Sequence, residues 1–192
     1  MAIEIEAKMP LKDVAGLIKR LKARKARRGR TVLEVNTFFD TPQQALKAAD
    51  RGLRLRVERE IGGRRQVATV THKGPRVHGR LKNRAETEFQ VDDADQAAEL
   101  LAALGYAPFF SFEKRRQYWE LNGCQIALDR LPYLGDFVEI EGPSEKRVLA
   151  TRHRLELVDL PMLTTSYIAL LMDYLEEHHL KEAFARLEET PT

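Results

Sequence analysis

Strands that alternate charged with apolar residues constrain this chain of 192 residues more than any other feature. The opening segment IEIEAK places Glu4, Glu6 and Lys8 two residues apart, with Ile3 and Ile5 among them. Because alternate side chains of a β-strand point to the same face, the three charged groups share one face. A solvent-exposed face is normal for a single antiparallel strand, so this segment alone predicts only an amphipathic strand.

The same alternation recurs along the chain, and its charges are sorted by sign. The further positions are the paired acids Glu86 and Glu88, Glu139 and Glu141, the paired bases Arg54 and Arg56, Lys114 and Arg116, and the single residues Lys73, Arg84 and Asp129. An ordinary exposed sheet face carries a looser mixture of polar residues. The pattern therefore predicts a sheet with one face built for charge.

Turn and helix signals complete an α+β interpretation with about eight mostly antiparallel strands. Gly62-Gly63 and Asn122-Gly123 predict tight hairpin turns. Apolar residues spaced three and four apart predict amphipathic helices after the first strand and after residues 84–91, and a helical C-terminal segment over 162–189. Since Glu86 and Glu88 follow Glu4 and Glu6 at one constant interval, an internal duplication is also indicated.

A sheet of this kind that curls into a barrel turns its charges either outward or into a channel. In the inward case unpaired charges cost several kcal/mol each, so the channel has to be hydrated and balanced by a ligand. Carboxylates suit Mg²⁺, Mn²⁺ or Ca²⁺, and arginine binds phosphate with paired hydrogen bonds. A triphosphate carrying a divalent cation satisfies both halves of the charge pattern.

The motifs, taken in order, resemble the CYTH domain family, also called triphosphate tunnel metalloenzymes. They are EIEAK, NTFFDTP, LRLRVE, THKGP, RAETEFQV, FEKRRQYW, LDRLPYLGDFVEIEG and TSYIALL. The resemblance covers about residues 3–172 and implies an eight-stranded antiparallel β-barrel tunnel with helices packed outside. It implies a tunnel domain over 1–175 and a C-terminal helical extension of that domain over 176–192. Asn36 and Phe38 depart from the family pattern, which bears on substrate choice.

The resemblance also implies roles for the charged residues. The implied ligands of Mg²⁺ or Mn²⁺ are Glu4, Glu6, Glu88, Asp129, Glu139 and Glu141. The implied phosphate-binding residues are Lys8, Arg54, Arg56, Lys73, Arg84, Lys114 and Arg116. Lys8, Lys73 and Glu86 are the catalytic candidates, and the base is either a Lys73–Glu86 contact or a water activated by the metal. Arg80 and Lys82 either fold over a bound nucleotide or form a solvated loop.

Two reactions fit such a site, and a binding role is the third alternative. The family includes class IV adenylyl cyclases, which convert ATP to cyclic AMP and pyrophosphate, and triphosphatases that hydrolyse thiamine triphosphate, inorganic tripolyphosphate or nucleoside triphosphates. Taken together, the motifs resemble those of the cyclase branch of the family most, which favours the cyclase reaction. A module that binds polyphosphate or RNA without turnover is the alternative from another class. Adenine would be held by an aromatic pocket, for which the candidates are Phe109, Phe110, Phe112 and Tyr133.

Composition narrows the class of protein further. The only cysteine, Cys124, excludes an internal disulfide and favours a reducing cytoplasm, and no apolar run is long enough for a membrane span. The net charge is +3, and eight Lys and Arg residues without an acid lie within residues 19–30. This run is either a solvated helix face or a rim that attracts anions, and its lack of aromatics disfavours a nucleic-acid partner. The sequence leaves a monomer and a homodimer equally open.

Overall fold

The computed structural model describes residues 2–77 and 82–187, with side chains over 5–75 and 84–187. The described strands are β1 (Ala2–Pro10), β2 (Arg27–Asp40), β3 (Gly52–Glu60), β4 (Gln66–Val77), β5 (Lys82–Val91), β6 (Ala107–Leu121), β7 (Cys124–Leu131), β8 (Gly135–Glu141) and β9 (Phe184–Ala185). The described helices are α1 (Val14–Ala23), α2 (Ala45–Ala48), α3 (Ala94–Ala103), α4 (Glu145–Arg154) and α5 (Tyr167–Glu177).

The first eight strands form a closed antiparallel barrel. Their order is β2-β3-β4-β5-β1-β8-β7-β6, and β6 pairs back with β2 from Arg27↔Glu120 to Asp40↔Ala107. Short β9 runs parallel to β6 at Ser111, before the part of β6 that pairs with β7. The predicted eight-stranded antiparallel barrel with packed helices is thereby confirmed.

The two halves of the barrel share one order of elements. Strand, helix and strand follow one another as β1-α1-β2 and as β5-α3-β6, and the corresponding strands pair with each other. Both helices begin at an aspartate N-cap, since Asp13 accepts from the Gly16 amide (2.8 Å) and Asp93 accepts from the Gln96 amide (3.0 Å). This arrangement agrees with the duplication that the acid spacing indicates.

Helices cover the outward faces of the strands. Leu17 and Leu21 of α1 and Val148 of α4 are fully buried in one apolar cluster, which extends over β1, β6, β7 and β8. A second cluster packs α3, through Leu101, on β3 and β4. Because these faces are covered by helices, the alternate faces of the same strands point into the barrel. No helix in the described part of the chain has the length and apolar character needed to cross a membrane.

Helix α5 takes a different position from the other helices. Its Tyr167 and Leu171 pack with Phe112 and Phe137, which share their strand faces with Lys114 and Glu139. It therefore packs against the inward side of the barrel wall and not on the outside.

The C-terminal helix is shorter than the sequence predicts. It ends at Glu177, and the amide of Leu180 donates to the carbonyl of Leu175 (2.8 Å) with His179 in the left-handed region (φ 56°). The following segment then pairs with β6, where the Ser111 amide donates to the Ala183 carbonyl (2.9 Å). Helix propensity is overridden here because the start of β6, beyond the reach of β7, offers free backbone groups.

Candidate active site

The barrel encloses a cavity of about 1310 Å³, and charged side chains dominate its walls. The sequence-predicted residues that line it are Glu6, Lys8, Arg54, Arg56, Lys73, Arg84, Glu86, Glu88, Lys114, Arg116, Glu139 and Glu141. Of the remaining two, Asp129 is buried behind the lining and the side chain of Glu4 lies outside the described residues, as do those of Arg80 and Lys82. The structure thus brings the predicted charges together in one place, while their roles stay predictions.

A buried network of ion pairs forms the centre of the cavity wall. Arg116 donates two hydrogen bonds of 2.6 Å to Asp129 and contacts Glu139. Lys114 lies 3.2 Å from Glu34 and 3.5 Å from Asp129. Burial lowers the pKa of Arg116, but the charges of Asp129, Glu139 and Glu34 outweigh it and raise that pKa well above its usual range. Arg116 is therefore a permanent cation at the cavity wall.

Tyr167 connects α5 to this network. Its hydroxyl donates to Asp129 (3.0 Å), and its ring lies under the ammonium groups of Lys8 (4.4 Å to the centroid) and Lys114 (5.2 Å). Burial, followed by the charges of Asp129 and Glu139, raises the pKa of Tyr167 well above its ordinary value, so the ring stays neutral. Lys8 also donates to the carbonyl of Thr165. The aromatic face thereby supports two cations that would otherwise repel each other.

The wall formed by β3, β4 and β5 has an excess of positive charge. Arg54 and Arg56 lie 3.8 and 3.7 Å from Glu88, which accepts a hydrogen bond from Thr71 (2.8 Å). Burial first, and then the neighbouring charge of Arg56, lowers the pKa of Arg54. The Nε atoms of both arginines are buried and form no hydrogen bond within the described residues, although that of Arg56 lies 3.3 Å from a carboxylate oxygen of Glu58. An anion in the cavity would relieve the repulsion between the two guanidinium groups.

Lys73 and Arg84 complete this wall with different partners. Lys73 forms an ion pair with Glu86, as one of the predicted candidates for the base requires. Arg84 donates to the backbone carbonyls of Gly74 (2.7 Å) and Asp50 (2.6 Å). Its guanidinium therefore holds the connection between β2 and β3 against β4 while it lines the cavity.

Carboxylates face one another on the opposite wall, where β1 pairs with β8. Glu6 is the register partner of Glu141, and Lys8 is that of Glu139. Like charges directly opposite each other in a sheet are unfavourable, and a divalent cation between carboxylate oxygens would make them favourable. The described side chains alone contain no group of three or more His, Cys, Asp or Glu placed to hold a metal. The donor chemistry of this wall fits a hard divalent cation such as Mg²⁺ or Mn²⁺.

Sequence reasoning missed two acids that the structure places in the network. Glu34 of β2 is fully buried beside Lys114 and Arg116, and Glu58 of β3 contacts Arg30 (3.0 Å) and Arg56 (3.3 Å). Burial raises the pKa of Glu34, but its basic neighbours, with Lys114 first, outweigh this effect and lower it far below the usual range. The signal was available, because Glu34 shares a strand face with Asn36 and alternates with Leu33 and Val35, and Glu58 continues the alternation of the two arginines.

Two further positions, Arg115 and His72, test the alternation of side chains between the two faces of a strand. Arg115 is exposed, as its parity predicts. The alternation puts His72 on the apolar strand face of Val70 and so predicts that it packs in the core, but it is exposed because the cluster under α3 covers Val70 and not His72.

One end of the cavity is apolar. Phe38 stacks on Phe112 (centroids 5.9 Å apart), and both line the cavity together with Phe109, Ile168 and Met172. Two of the four aromatic residues predicted to hold adenine therefore border the cavity. The other two do not line it: Phe110 is buried in the cluster under α5, and Tyr133 stacks on Tyr174 (5.3 Å).

Comparisons with known proteins agree with this geometry. The CYTH domain family model matches residues 2–157. Adenylate cyclase CyaB of Aeromonas hydrophila is 30% identical over 127 residues, which are 66% of this chain and 61% of that protein, so the match spans about three fifths of the relative's length. PH1819 of Pyrococcus horikoshii has a structure with a TM-score of 0.74 and 25% identity, covering 89% of this chain and 99% of the other.

A further structural neighbour supports the fold alone. HpAC1 of Hippeastrum, a candidate adenylyl cyclase described as having a dominant triphosphatase activity, gives a TM-score of 0.69 at 17% identity, covering 91% of this chain and 96% of the other. The family match covers most of the chain, including the strands that supply the charged walls. On this ground the chain belongs to the CYTH domain family.

Proposed function

We propose that this protein is a divalent-metal-dependent enzyme acting on triphosphates, with the cyclisation of ATP to cyclic AMP and pyrophosphate as its first candidate reaction. The single observation that carries the proposal is that one cavity is lined by three groups of residues. They are a wall of carboxylates, a wall of cationic side chains across the barrel, and an aromatic end that adjoins both. A nucleoside triphosphate with its metal has the same three parts.

The acidic wall is the proposed metal site. Glu6, Glu139 and Glu141, with Glu4, would hold Mg²⁺ or Mn²⁺, since hard cations prefer carboxylate oxygens. The bound ion would supply charge neutralisation of the phosphates and polarisation of a phosphoryl oxygen. Glu88 belongs to a different part of the cavity, because Thr71 and the two arginines surround it. We therefore propose that Glu88 orients cations and is not a ligand of the same ion.

The cations bind and orient the phosphates. The guanidinium groups of Arg54 and Arg56, which both line the cavity, would donate hydrogen bonds to phosphate oxygens. Arg116 and Lys114 are held in place by Asp129 and Glu34 before substrate arrives. Because the donors are fixed in advance, they favour the charge that develops during phosphoryl transfer without having to reorganise.

In the cyclase reaction the 3′-oxygen of ATP bonds to the α-phosphorus while the bond to pyrophosphate breaks. The 3′-hydroxyl proton needs an acceptor within hydrogen-bond reach. Glu86, which is paired with Lys73 at the cavity wall, is the acceptor we propose. Lys73 would hold the carboxylate in position, and the proton that Glu86 accepts would then pass to the departing pyrophosphate or to water.

Hydrolysis of a triphosphate is the second candidate. A cavity of about 1310 Å³ leaves space for water beside a terminal phosphate, which hydrolysis needs and cyclisation must avoid. The activity described for HpAC1 belongs to a protein of the same fold. Thiamine triphosphate, tripolyphosphate and nucleoside triphosphates are the substrates to compare.

The test is incubation with Mg²⁺ or Mn²⁺ and each of ATP, thiamine triphosphate and tripolyphosphate, resolved by phosphorus NMR. Cyclic AMP with pyrophosphate supports the first candidate, and orthophosphate release supports the second. Glu6→Gln should abolish turnover with the fold intact, whereas Glu99→Gln, on the exposed face of α3, should leave it unchanged. Tight triphosphate binding that persists in EDTA without any turnover would contradict the proposal and favour a binding module.

A further inference from the structure

We propose that helix α5 recognises the amino group of a nucleobase, which would donate hydrogen bonds to the carboxylates of Asp173 and Glu176. The inference rests on the proposed function, because it concerns the part of a nucleoside triphosphate that lies beyond the phosphates. It assigns substrate choice to residues outside the 2–157 segment that the family model matches. The helix would thus give this chain its own specificity on a shared triphosphate site.

One face of α5 borders the cavity along its length. Ile168, Met172 and Glu176 lie four residues apart, and Asp173 follows Ala169 by the same interval. The start of the helix is fixed, because Ser166 accepts from the Ala169 amide (3.4 Å) and Tyr167 is buried. A face held in this way presents its side chains in a constant direction.

The aromatic end of the cavity is continuous with the phosphate-binding wall. Phe38 is the register partner of Arg54, and Phe112 lies two residues before Lys114 on the same face of β6. Ile168 of α5 packs in the same cluster as Phe38 and Phe112. A nucleotide whose phosphates contact Arg54 would therefore bring its flat base to the Phe38–Phe112 stack, under the face of α5.

Asp173 and Glu176 are the acidic residues on the face of α5 that borders the cavity. Both are exposed at the cavity border, and neither carboxylate has a hydrogen bond or an ion pair with any side chain or backbone group that the structure describes. At the rim of the cavity their negative charges repel phosphates, so the group that they contact is not the triphosphate. Ionised carboxylates only accept hydrogen bonds, so they select ligands that present N–H donors.

Adenine fits this requirement at its 6-position. Its amino group donates hydrogen bonds, whereas hypoxanthine presents a carbonyl oxygen there, which a carboxylate repels. Hydrogen bonds to charged groups contribute enough to discriminate by about tenfold or more. The inference therefore predicts selection of ATP over ITP, with no effect on a triphosphate that lacks a base.

The experiment measures kcat/KM for ATP, ITP and tripolyphosphate with the full chain and two variants. We expect the wild type to prefer ATP over ITP by about tenfold and the Asp173→Asn, Glu176→Gln double variant to lose that preference. Glu177→Gln is the matched control, because Glu177 is exposed on the same helix but does not line the cavity. Tripolyphosphate turnover should be unchanged in all three proteins.

Equal use of ATP and ITP by the wild type would overturn the inference, and so would a preference that survives in the double variant. A loss of tripolyphosphate turnover equal to that of ATP would also overturn it, since the carboxylates would then act on the phosphates. The Kd ratio of ATP to ITP, measured by calorimetry with Mg²⁺, decides the inference without turnover. A protein that binds ATP selectively but processes no triphosphate would refute the proposed function and leave this inference standing.

Discussion

Arg116 and Asp129 form a two-pronged ion pair inside the barrel, with Nε to Oδ1 and Nη2 to Oδ2 both at 2.6 Å. Lys114 and Tyr167 occupy the same carboxylate from other directions. Asp129 therefore has its oxygens directed at two cations and a hydroxyl. These contacts give it the role of a buried anchor that aligns cations, and the metal role predicted from the sequence can be tested against it.

Asp129→Asn separates the two roles. Removing one partner of a buried ion pair leaves an uncompensated charge, so we expect the free energy of unfolding to fall by about 3 kcal/mol or more. Urea unfolding measures this change, and Asp159→Asn is the control, because Asp159 is exposed and its carboxylate has no partner among the residues that the structure describes. A variant with unchanged stability but a greatly weakened Mg²⁺ dependence would instead make Asp129 a metal ligand.

Arg54→Ala should separate binding from stability. Burial and the charge of Arg56 lower the pKa of Arg54, which means that the folded protein disfavours this cation when no anion is bound. We expect an unchanged or higher Tm, together with a KM for triphosphate raised about tenfold or more. Arg115→Ala, on the exposed face of β6, should change neither quantity. A lower Tm with an unaltered KM would mean that Arg54 is structural.

Tyr167→Phe tests the connection between α5 and the network. The variant keeps the ring under Lys8 and Lys114 but removes the hydroxyl that donates to Asp129. Because the acceptor is charged and buried, we expect a loss of about 1.5 kcal/mol or more in unfolding free energy. Tyr106→Phe is the control, since the Tyr106 hydroxyl has no hydrogen bond within the described chain. Equal effects of the two changes would contradict the connection.

The alternation of side chains along a strand carried most of what the sequence could predict. It placed Lys8, Arg56 and Arg116 on one strand face and Arg115 on the opposite one, because the parity of a position decides its face. The structure then turns the charged face inward. It also held for Glu34, which was overlooked only because the strand around it was interpreted through its β-branched and aromatic residues.

The position of Tyr167 in the ion-pair network could not be predicted from the alternation of side chains. Its place in the network depends on α5 packing against the inward wall, and nothing in a helical pattern states which side of a barrel a helix covers. The end of α5 is a second example, because β9 forms on backbone groups of β6 that only the assembled sheet leaves free. Tertiary contacts between distant segments decided both features.

Glu34→Gln should change the dependence of stability on pH. The charges of Lys114 and Arg116, with help from Arg56 and Arg54, overcome burial and lower the pKa of Glu34 far below its ordinary value of 4.5. The ionised group therefore stabilises the fold fully above the unfolded-state pKa, and this stability is lost progressively as the pH falls toward the folded-state pKa. At pH 7 we expect the variant to unfold with about 3 kcal/mol less free energy than the wild type, and the difference should shrink below about pH 4.5. Urea unfolding across about pH 3 to 7 measures both curves, with Glu99→Gln as the exposed control. Parallel curves for wild type and Glu34→Gln would show that Glu34 titrates normally and that its ion pairs do not stabilise the barrel.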